Sequence, residues 1–423
     1  MNHVAALNVS KLCLGWPLYP VSCFLVCVLP EKEERKKEFL VPGTYRRVLS
    51  SAGTMTFGEQ NCYEDAQAQL NLATESGINF LDTAEMYPVP QRAETQGLSE
   101  IYVGRWLKEG HISRDRVVLA TKDHERSEFW SLYGNHFVAL AHGNSLKGHK
   151  LMGIQATGPS GQMTWIRGGP PSLDARNIEE AINGSLKRLG TDYIDLYQLH
   201  WPDRYVPMFG DVDYDPAASY SSIPIEEQLK ALSRAKEAGK IRYIGVSNET
   251  PYGVMEFCRL ADSNAALPRI VTIQNAYCLL CRTFDSTLAE CCHHQNVSLL
   301  AYSPLAMGLL SGKYLTSGNG PEDARLNLYR GRYAEAECRY SFSKPNCTPA
   351  VKAYVDIGRR HGISPVALAI GFVLRNSLVL SAVIGATKLW QLEEIIEASQ
   401  VNLNAELLAE INMVHERFPN PTP

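Results

Sequence analysis

From Asn61 onward, short and nearly continuous apolar runs alternate with longer stretches in which apolar residues recur every three or four positions. The first pattern predicts buried strands and the second predicts helices with one apolar face. Helices are predicted over Tyr63 to Ser76, Leu98 to Glu109, Asn177 to Leu189, Ile225 to Ala238, Pro251 to Asp262, Phe284 to His293, Pro349 to His361, Pro365 to Arg375 and Leu389 to Ala398. Gly77, Gly110 and Gly239 end three of them, as glycine does where a chain must turn left-handed. Strands are predicted over Ile78 to Asp82, Val117 to Thr121, Tyr193 to Leu199, Ile241 to Val246, Ile270 to Gln274, Ser298 to Tyr302 and Leu380 to Ile384. With a first strand near Val48, in Val48-Leu-Ser-Ser-Ala-Gly53, there are eight.

Apolar strands separated by helices pair in parallel and are covered on both faces. Eight such units close into a (β/α)8 TIM barrel, so the fold class is α/β. An open doubly wound sheet is the runner-up, but no Gly-x-Gly-x-x-Gly turn follows an early strand.

Two stretches break the rhythm. Residues 1–47 fit no barrel unit; Leu12 to Leu29 is apolar, but Gly15, Pro17, Pro20 and Pro30 argue against a membrane-spanning helix. A signal or transit segment stays open, although no small-residue cleavage site follows. Asp123 to Ala156 shows no amphipathic period and reads as an insertion after the third strand. It is either a lid on the active-site face or the product of an altered gene model. The second reading is preferred, because it gives both irregular stretches one cause. The expected organisation is a barrel over 48–418, with 1–47 set apart as a disordered or targeting segment and 123–156 as a disordered insertion.

Composition changes this picture little. A chain of 423 residues suggests two or three domains, but one barrel can take more than about 250. The 45% hydrophobic and 20% charged content is ordinary for a globular protein. A net charge of −4, without a basic block, points away from nucleic acid. The 11 cysteines are not spaced as a disulfide framework and read as reduced thiols. Cys278-Leu-Leu-Cys281 and Cys291-Cys292-His293-His294 have zinc-ligand chemistry, but thiols around a helix is the preferred reading, and no metal is expected. The expected compartment is the cytoplasm, or a plastid or mitochondrion if 1–47 is a transit segment.

Four strings carry the chemistry: Phe80-Leu-Asp82-Thr-Ala-Glu-Met-Tyr87, Ala120-Thr-Lys122, Gln198-Leu-His200-Trp and Ile244-Gly-Val-Ser247-Asn248. Each begins in a predicted strand and runs into a loop. In a parallel barrel those ends converge on one face, so Asp82, Tyr87, Lys122 and His200 meet there. Singly, they read as a loop carboxylate, a loop aromatic, an exposed lysine and a strand-end histidine. Together, an acid, a phenol, an amine and an imidazole can manage a proton beside a carbonyl.

In these strings the chain resembles the aldo-keto reductases, most closely their Tas-like branch, from about Gly53 to about Phe418 with one interruption. Such proteins usually open with a β-hairpin and then a first strand leading into a Gly-Thr motif, of which Val48 to Gly53 supplies only a shortened version. The resemblance implies that Tyr87 is the general acid, that Lys122 lowers its pKa from about 10, that Asp82 holds Lys122, and that His200 hydrogen-bonds the substrate carbonyl or shares the proton. Hydride must come from a nicotinamide cofactor, since no side chain supplies one.

For that cofactor, NADPH (NADP+), the resemblance implies Thr54 in the Gly-Thr motif, and Ser247, Asn248 and Gln274 on the carboxamide. Tyr302 would stack on the nicotinamide ring, followed by Ser303, Pro304 and Leu305. Gly308, Leu310, Ser311, Gly312 and Lys313 would wrap the pyrophosphate, with Arg325 beyond them. Gly385, Thr387, Lys388, Gln391 and Glu394 would bind the adenosine phosphate, where a helix start suits an anion. Some relatives place a lysine and an arginine where this chain has Gly385 and Gln391; Lys388 and Arg325 stand in for them. The expected partner is a small-molecule carbonyl substrate, with no nucleic acid and no membrane; Trp201, Tyr205, Trp165 and Met163 are candidate apolar walls. Substrate identity and oligomeric state are not legible.

The alternatives are a cofactor-binding regulatory subunit, resembling potassium-channel β-subunits, and an inactive product of an altered gene model. The intact tetrad favours the enzyme. Rival motifs fail: Gly308 to Tyr314 lacks a spacer and the Ser/Thr of a P-loop, and Tyr340-Ser-Phe-Ser-Lys344 has no Gly-rich dinucleotide turn to accompany it.

Overall fold

A computed structural model describes residues 50–123, 165–166, 173–207, 213–316 and 320–422. The expectations for 1–47 and for the insertion beyond Asp123 lie outside the described residues, as does Met163.

The strands are β1 Ser50–Gly53, β2 Phe80–Asp82, β3 Val118–Lys122, β4 Ile194–Leu199, β5 Ile241–Ser247, β6 Ile270–Ala276, β7 Ser298–Tyr302 and β8 Val379–Ile384. They form a closed barrel in sequence order, every pair parallel. The expected TIM barrel is therefore present. Its shortened first strand is sufficient: β1 pairs Ala52 with Leu81 of β2 on one side and with Ile384 of β8 on the other.

The helices are α1 Tyr63–Glu75, α2 Leu98–Lys108, α3 Ala175–Leu189, α4 Ile225–Glu237, α5 Pro251–Ser263, α6 Thr283–Thr287, α7 Ala289–Gln295, α8 Arg325–Leu328, α9 Ala334–Arg339, α10 Cys347–Arg360, α11 Pro365–Arg375, α12 Leu389–Ala398 and α13 Ala405–Arg417. Most match the apolar period to within two residues. Helix α3 starts earlier than the period suggests because Asp174 accepts the Asn177 backbone N–H at 2.8 Å and caps it there. The predicted helix from Phe284 to His293 is two helices, broken at Leu288. Ser286 and Thr287 both donate hydroxyls back to the Thr283 carbonyl, competing with the helical ladder. Helices α8, α9 and α13 were not predicted; α13 begins at an Asn404 cap on the Leu407 N–H. Among the described residues, no helix is long and apolar enough to cross a membrane.

The core has two layers. Leu81, Leu119, Tyr197, Ile244 and Leu299 join the helices in the main cluster between strands and helices. Phe80, Val118, Ala120, Leu196 and Leu300 form a separate cluster. Because successive strand residues face opposite ways, these two sets are the outer and inner faces of the barrel wall. Two steps further along the inner set stand Asp82, Lys122, Gln198 and Tyr302. One alternation thus fills the barrel with apolar side chains and delivers polar ones to its C-terminal mouth.

Candidate active site

Lys122 is fully buried, and its Nζ donates to Asp82 Oδ1 at 2.6 Å and to the Thr83 carbonyl at 2.8 Å. Asp82 Oδ2 accepts from Gln274 Nε2 at 2.9 Å and from Gln198 Nε2 at 3.3 Å. A charge pair without water survives only when its remaining lone pairs are met, and here strands β2, β3, β4 and β6 meet them. Lys122 Nζ lies 5.2 Å from the centre of the Tyr87 ring. The Tyr87 ring meets His200 edge-on at 6.0 Å. The four side chains named from the sequence are therefore brought together.

The electrostatics differ from the simplest expectation. Burial pushes the Tyr87 phenol well above its ordinary value, and the Asp82 carboxylate and Tyr333 push the same way, while Arg339 opposes them. Burial pulls the Lys122 ammonium down, against its pairing with Asp82. Burial is the largest cause of the phenol's shift, and Lys122, whose ammonium is paired with Asp82 at 2.6 Å, does not offset it. Tyr87 keeps its proton across the neutral range.

A cavity of about 440 Å³ opens on this mouth. Of the residues named from the sequence, Asp82, Tyr87, His200, Ser247, Asn248, Gln274, Tyr302, Ser303, Pro304, Leu305, Gly308, Ser311, Lys313, Arg325, Gly385, Thr387, Gln391 and Glu394 line it. Five do not. Thr54 is buried behind the wall with its hydroxyl on the Asp82 carbonyl at 3.2 Å. Lys122 stands behind Asp82, Leu310 is packed in the core, Gly312 ends the turn over Ala306–Ser311, and Lys388 reaches outward to within 3.7 Å of Asp323. Among the proposed apolar walls, Trp201 lines the cavity, and Trp165 packs against the apolar cluster around Tyr87.

Several lining residues escaped the sequence reading: Met86, Tyr333, Arg339 and Trp390 among them. Tyr333 and Arg339 come from the unpredicted stretch around α9, whose short irregular helices give no period to read. Trp390 is an exposed aromatic in the first turn of α12, visible in the sequence only as one residue of that helix.

One part of the cavity lining, around Lys313 and Arg325, suits an anion. Burial lowers the pKa of Lys313, and the neighbouring Arg325 charge adds to this. Arg325 is itself pulled down by burial, and its Nε finds no acceptor among the described residues. A buried guanidinium N–H without an acceptor is costly unless a ligand supplies one. Beside these cations, Ser303, Ala306, Met307 and Gly308 all have positive φ. Three of them are not glycine, and such strain gathers where backbone clamps a ligand. At the far end, Gln391 Oε1 accepts the backbone N–H groups of Thr387 and Lys388 at 3.0 and 3.3 Å, shaping the start of α12.

Comparison with known proteins agrees with this geometry. A family model described as the Aldo/keto reductase family matches residues 51–416. "Protein tas" of Escherichia coli (strain K12) is 45% identical over 371 residues, which is 88% of this chain and 95% of that protein. The L-glyceraldehyde 3-phosphate reductase of the same strain is 27% identical over 360 residues, covering 84% of this chain and 85% of that one. Its NADH-specific methylglyoxal reductase is 28% identical over 351 residues, covering 82% and 86%.

Proposed function

The chain belongs to the aldo/keto reductase family, NAD(P)H-dependent oxidoreductases of small carbonyl compounds, and we propose that it reduces aldehydes or ketones to alcohols with NADPH, Tyr87 giving the proton. The observation that carries this reading is the buried Asp82–Lys122 pair with the Tyr87 ring 5.2 Å from its ammonium and His200 at the ring edge.

When bound, the cofactor supplies hydride to the carbonyl carbon. The protein's own part concerns the oxygen. His200 and Tyr87 orient the carbonyl and exclude water from it. As charge develops on that oxygen, it becomes an alkoxide, a far stronger base than a phenolate. A phenol held above its ordinary pKa therefore still donates, and its proton is in place at neutral pH. Lys122 and Asp82 hold the floor of the site rather than supplying free charge to it.

On this reading Ser247, Asn248 and Gln274 would hold the carboxamide, Tyr302 would bind the nicotinamide ring, and the turn from Ser303 to Lys313 with Arg325 would take the pyrophosphate. Gly385, Thr387, Gln391 and Glu394, which line the far end of the cavity, would take the adenosine end, with Lys388 at its outer margin. Arg325, buried on the cavity wall, is the cation that favours NADPH, while Lys388 would have to leave Asp323 to join it. We also keep 48–418 as the barrel domain and 1–47 as a separate segment. The test is nucleotide titration with NADPH and NADH, followed by cofactor oxidation with a panel of small aldehydes. Tighter NADPH binding with aldehyde-dependent oxidation is expected. Tight binding without turnover on any aldehyde would instead favour a regulatory role.

A further inference from the structure

Arg339 was not among the residues named from the sequence. It closes α9, is 8% exposed, and lines the cavity. Its Nη1 donates to the Tyr302 hydroxyl at 3.1 Å. The Tyr302 hydroxyl donates in turn to Asn248 Oδ1 at 2.7 Å. Asn248 Nδ2 donates to the His200 carbonyl at 2.8 Å and to Ser247 Oγ at 3.2 Å.

Each link in this chain has one permitted direction. A guanidinium only donates, so the Tyr302 oxygen must accept from it. The His200 carbonyl only accepts, so the Asn248 amide must turn its NH₂ towards it and its oxygen towards Tyr302. The single Tyr302 O–H then has one place to go. The amide is thus fixed from both ends, by a backbone carbonyl at one and by a buried cation at the other. Asn248 has φ of 55°, so its backbone, too, is held in a conformation few residues adopt.

We propose that Arg339 is a positioning residue for the nicotinamide end of the site, acting through the Tyr302 hydroxyl to fix the Asn248 amide. This rests on the reductase reading above. Arg339 need not touch cofactor or substrate. Without it, the Tyr302 hydroxyl is free to turn, and Asn248 loses one of the two anchors that set its donor and acceptor sides. Arg339 also opposes the upward shift of Tyr87, which places its charge within reach of the reacting end of the cavity.

The test compares two probes: NADP+, and adenosine bisphosphate, which carries the adenosine end alone. Dissociation constants are measured by calorimetry for the wild type, Arg339→Met, Tyr302→Phe and the double variant. Arg339→Met should weaken NADP+ by about 10- to 100-fold, the range for a hydrogen bond from a charged donor, and leave adenosine bisphosphate unchanged. In the Tyr302→Phe background, the same substitution should add less than about twofold, because its route is already cut. Arg339→Lys keeps a charged donor and should recover part of the affinity; it carries the comparison should Arg339→Met fail to fold. Equal weakening of both probes, full additivity with Tyr302→Phe, or no effect on NADP+ would overturn the proposal while leaving the reductase reading intact. Failure of the wild type to bind either probe would overturn both.

Discussion

Lys122→Met is the perturbation that most directly interrogates the floor of the site. It keeps the length of the side chain and removes the charge. In the wild type the ammonium and the Asp82 carboxylate stand 2.6 Å apart at 0% and 2% side-chain exposure. At an effective dielectric of about 20, the gross attraction at that distance is about 6 kcal/mol. Much of it offsets the desolvation of the two ions. Removing one partner leaves the other buried and uncompensated, which destabilises by about 3–5 kcal/mol. Gln274 and Gln198 still donate to Asp82, so a loss near the lower end, about 3 kcal/mol, is expected. Asp82→Asn in the same chain removes the stranded charge and should recover at least about 1 kcal/mol of this. Urea unfolding, followed by far-ultraviolet circular dichroism, gives both numbers. A loss below about 1 kcal/mol, or a double variant no more stable than Lys122→Met, would refute the view that this pair is a tight and water-free ion pair.

Three further outcomes follow. Because the folded pKa of Tyr87 is raised, its proton-donating form persists beyond the ordinary phenol value of about 10. Carbonyl reduction should therefore show no Tyr87-dependent fall up to that pH, and alcohol oxidation, which needs the phenolate, should still be rising there; pH profiles of kcat in both directions check this, and a Tyr87-dependent fall near neutrality would contradict it. Gly104→Ala should destabilise the fold by about 1–3 kcal/mol in urea unfolding, because the new Cβ would lie 2.6 Å from the Arg188 carbonyl of α3. That outweighs the gain of about 1 kcal/mol in helix propensity. Arg325→Met should weaken NADPH by about tenfold or more in a binding titration while leaving stability equal or higher, since it removes a buried guanidinium whose Nε has no acceptor among the described residues.

The barrel was legible because its strands are apolar on both faces and its helices on one. That contrast persists even in β1, four residues long, where pairing with both β2 and β8 makes up for the missing length. The tetrad was legible for a related reason. Asp82, Lys122 and His200 each stand at or just past the end of a strand, so the barrel's parallel order alone brings them to one mouth. What escaped the sequence depends on packing. The direction of the Tyr87 shift follows first from burial and then from the nearby Asp82 carboxylate, neither of which a motif encodes. Arg339 sits at the end of a six-residue helix, and its link to Tyr302 joins positions 37 residues apart through no periodic signal. The break at Leu288 turns on two hydroxyls that choose the Thr283 carbonyl.

The central claim is that the Tyr87 hydroxyl delivers the proton to the carbonyl oxygen. Its most direct test is single-turnover reduction of a small aldehyde by NADPH, comparing the wild type with Tyr87→Phe. The substitution removes one oxygen from a ring that is 9% exposed, so the packing around it and the affinity for NADPH should hold. The rate of hydride transfer should fall by a factor of about 10² to 10⁴, as expected for the loss of one general acid. Near-normal hydride transfer by Tyr87→Phe, at unchanged NADPH affinity, would show that the proton comes from another group.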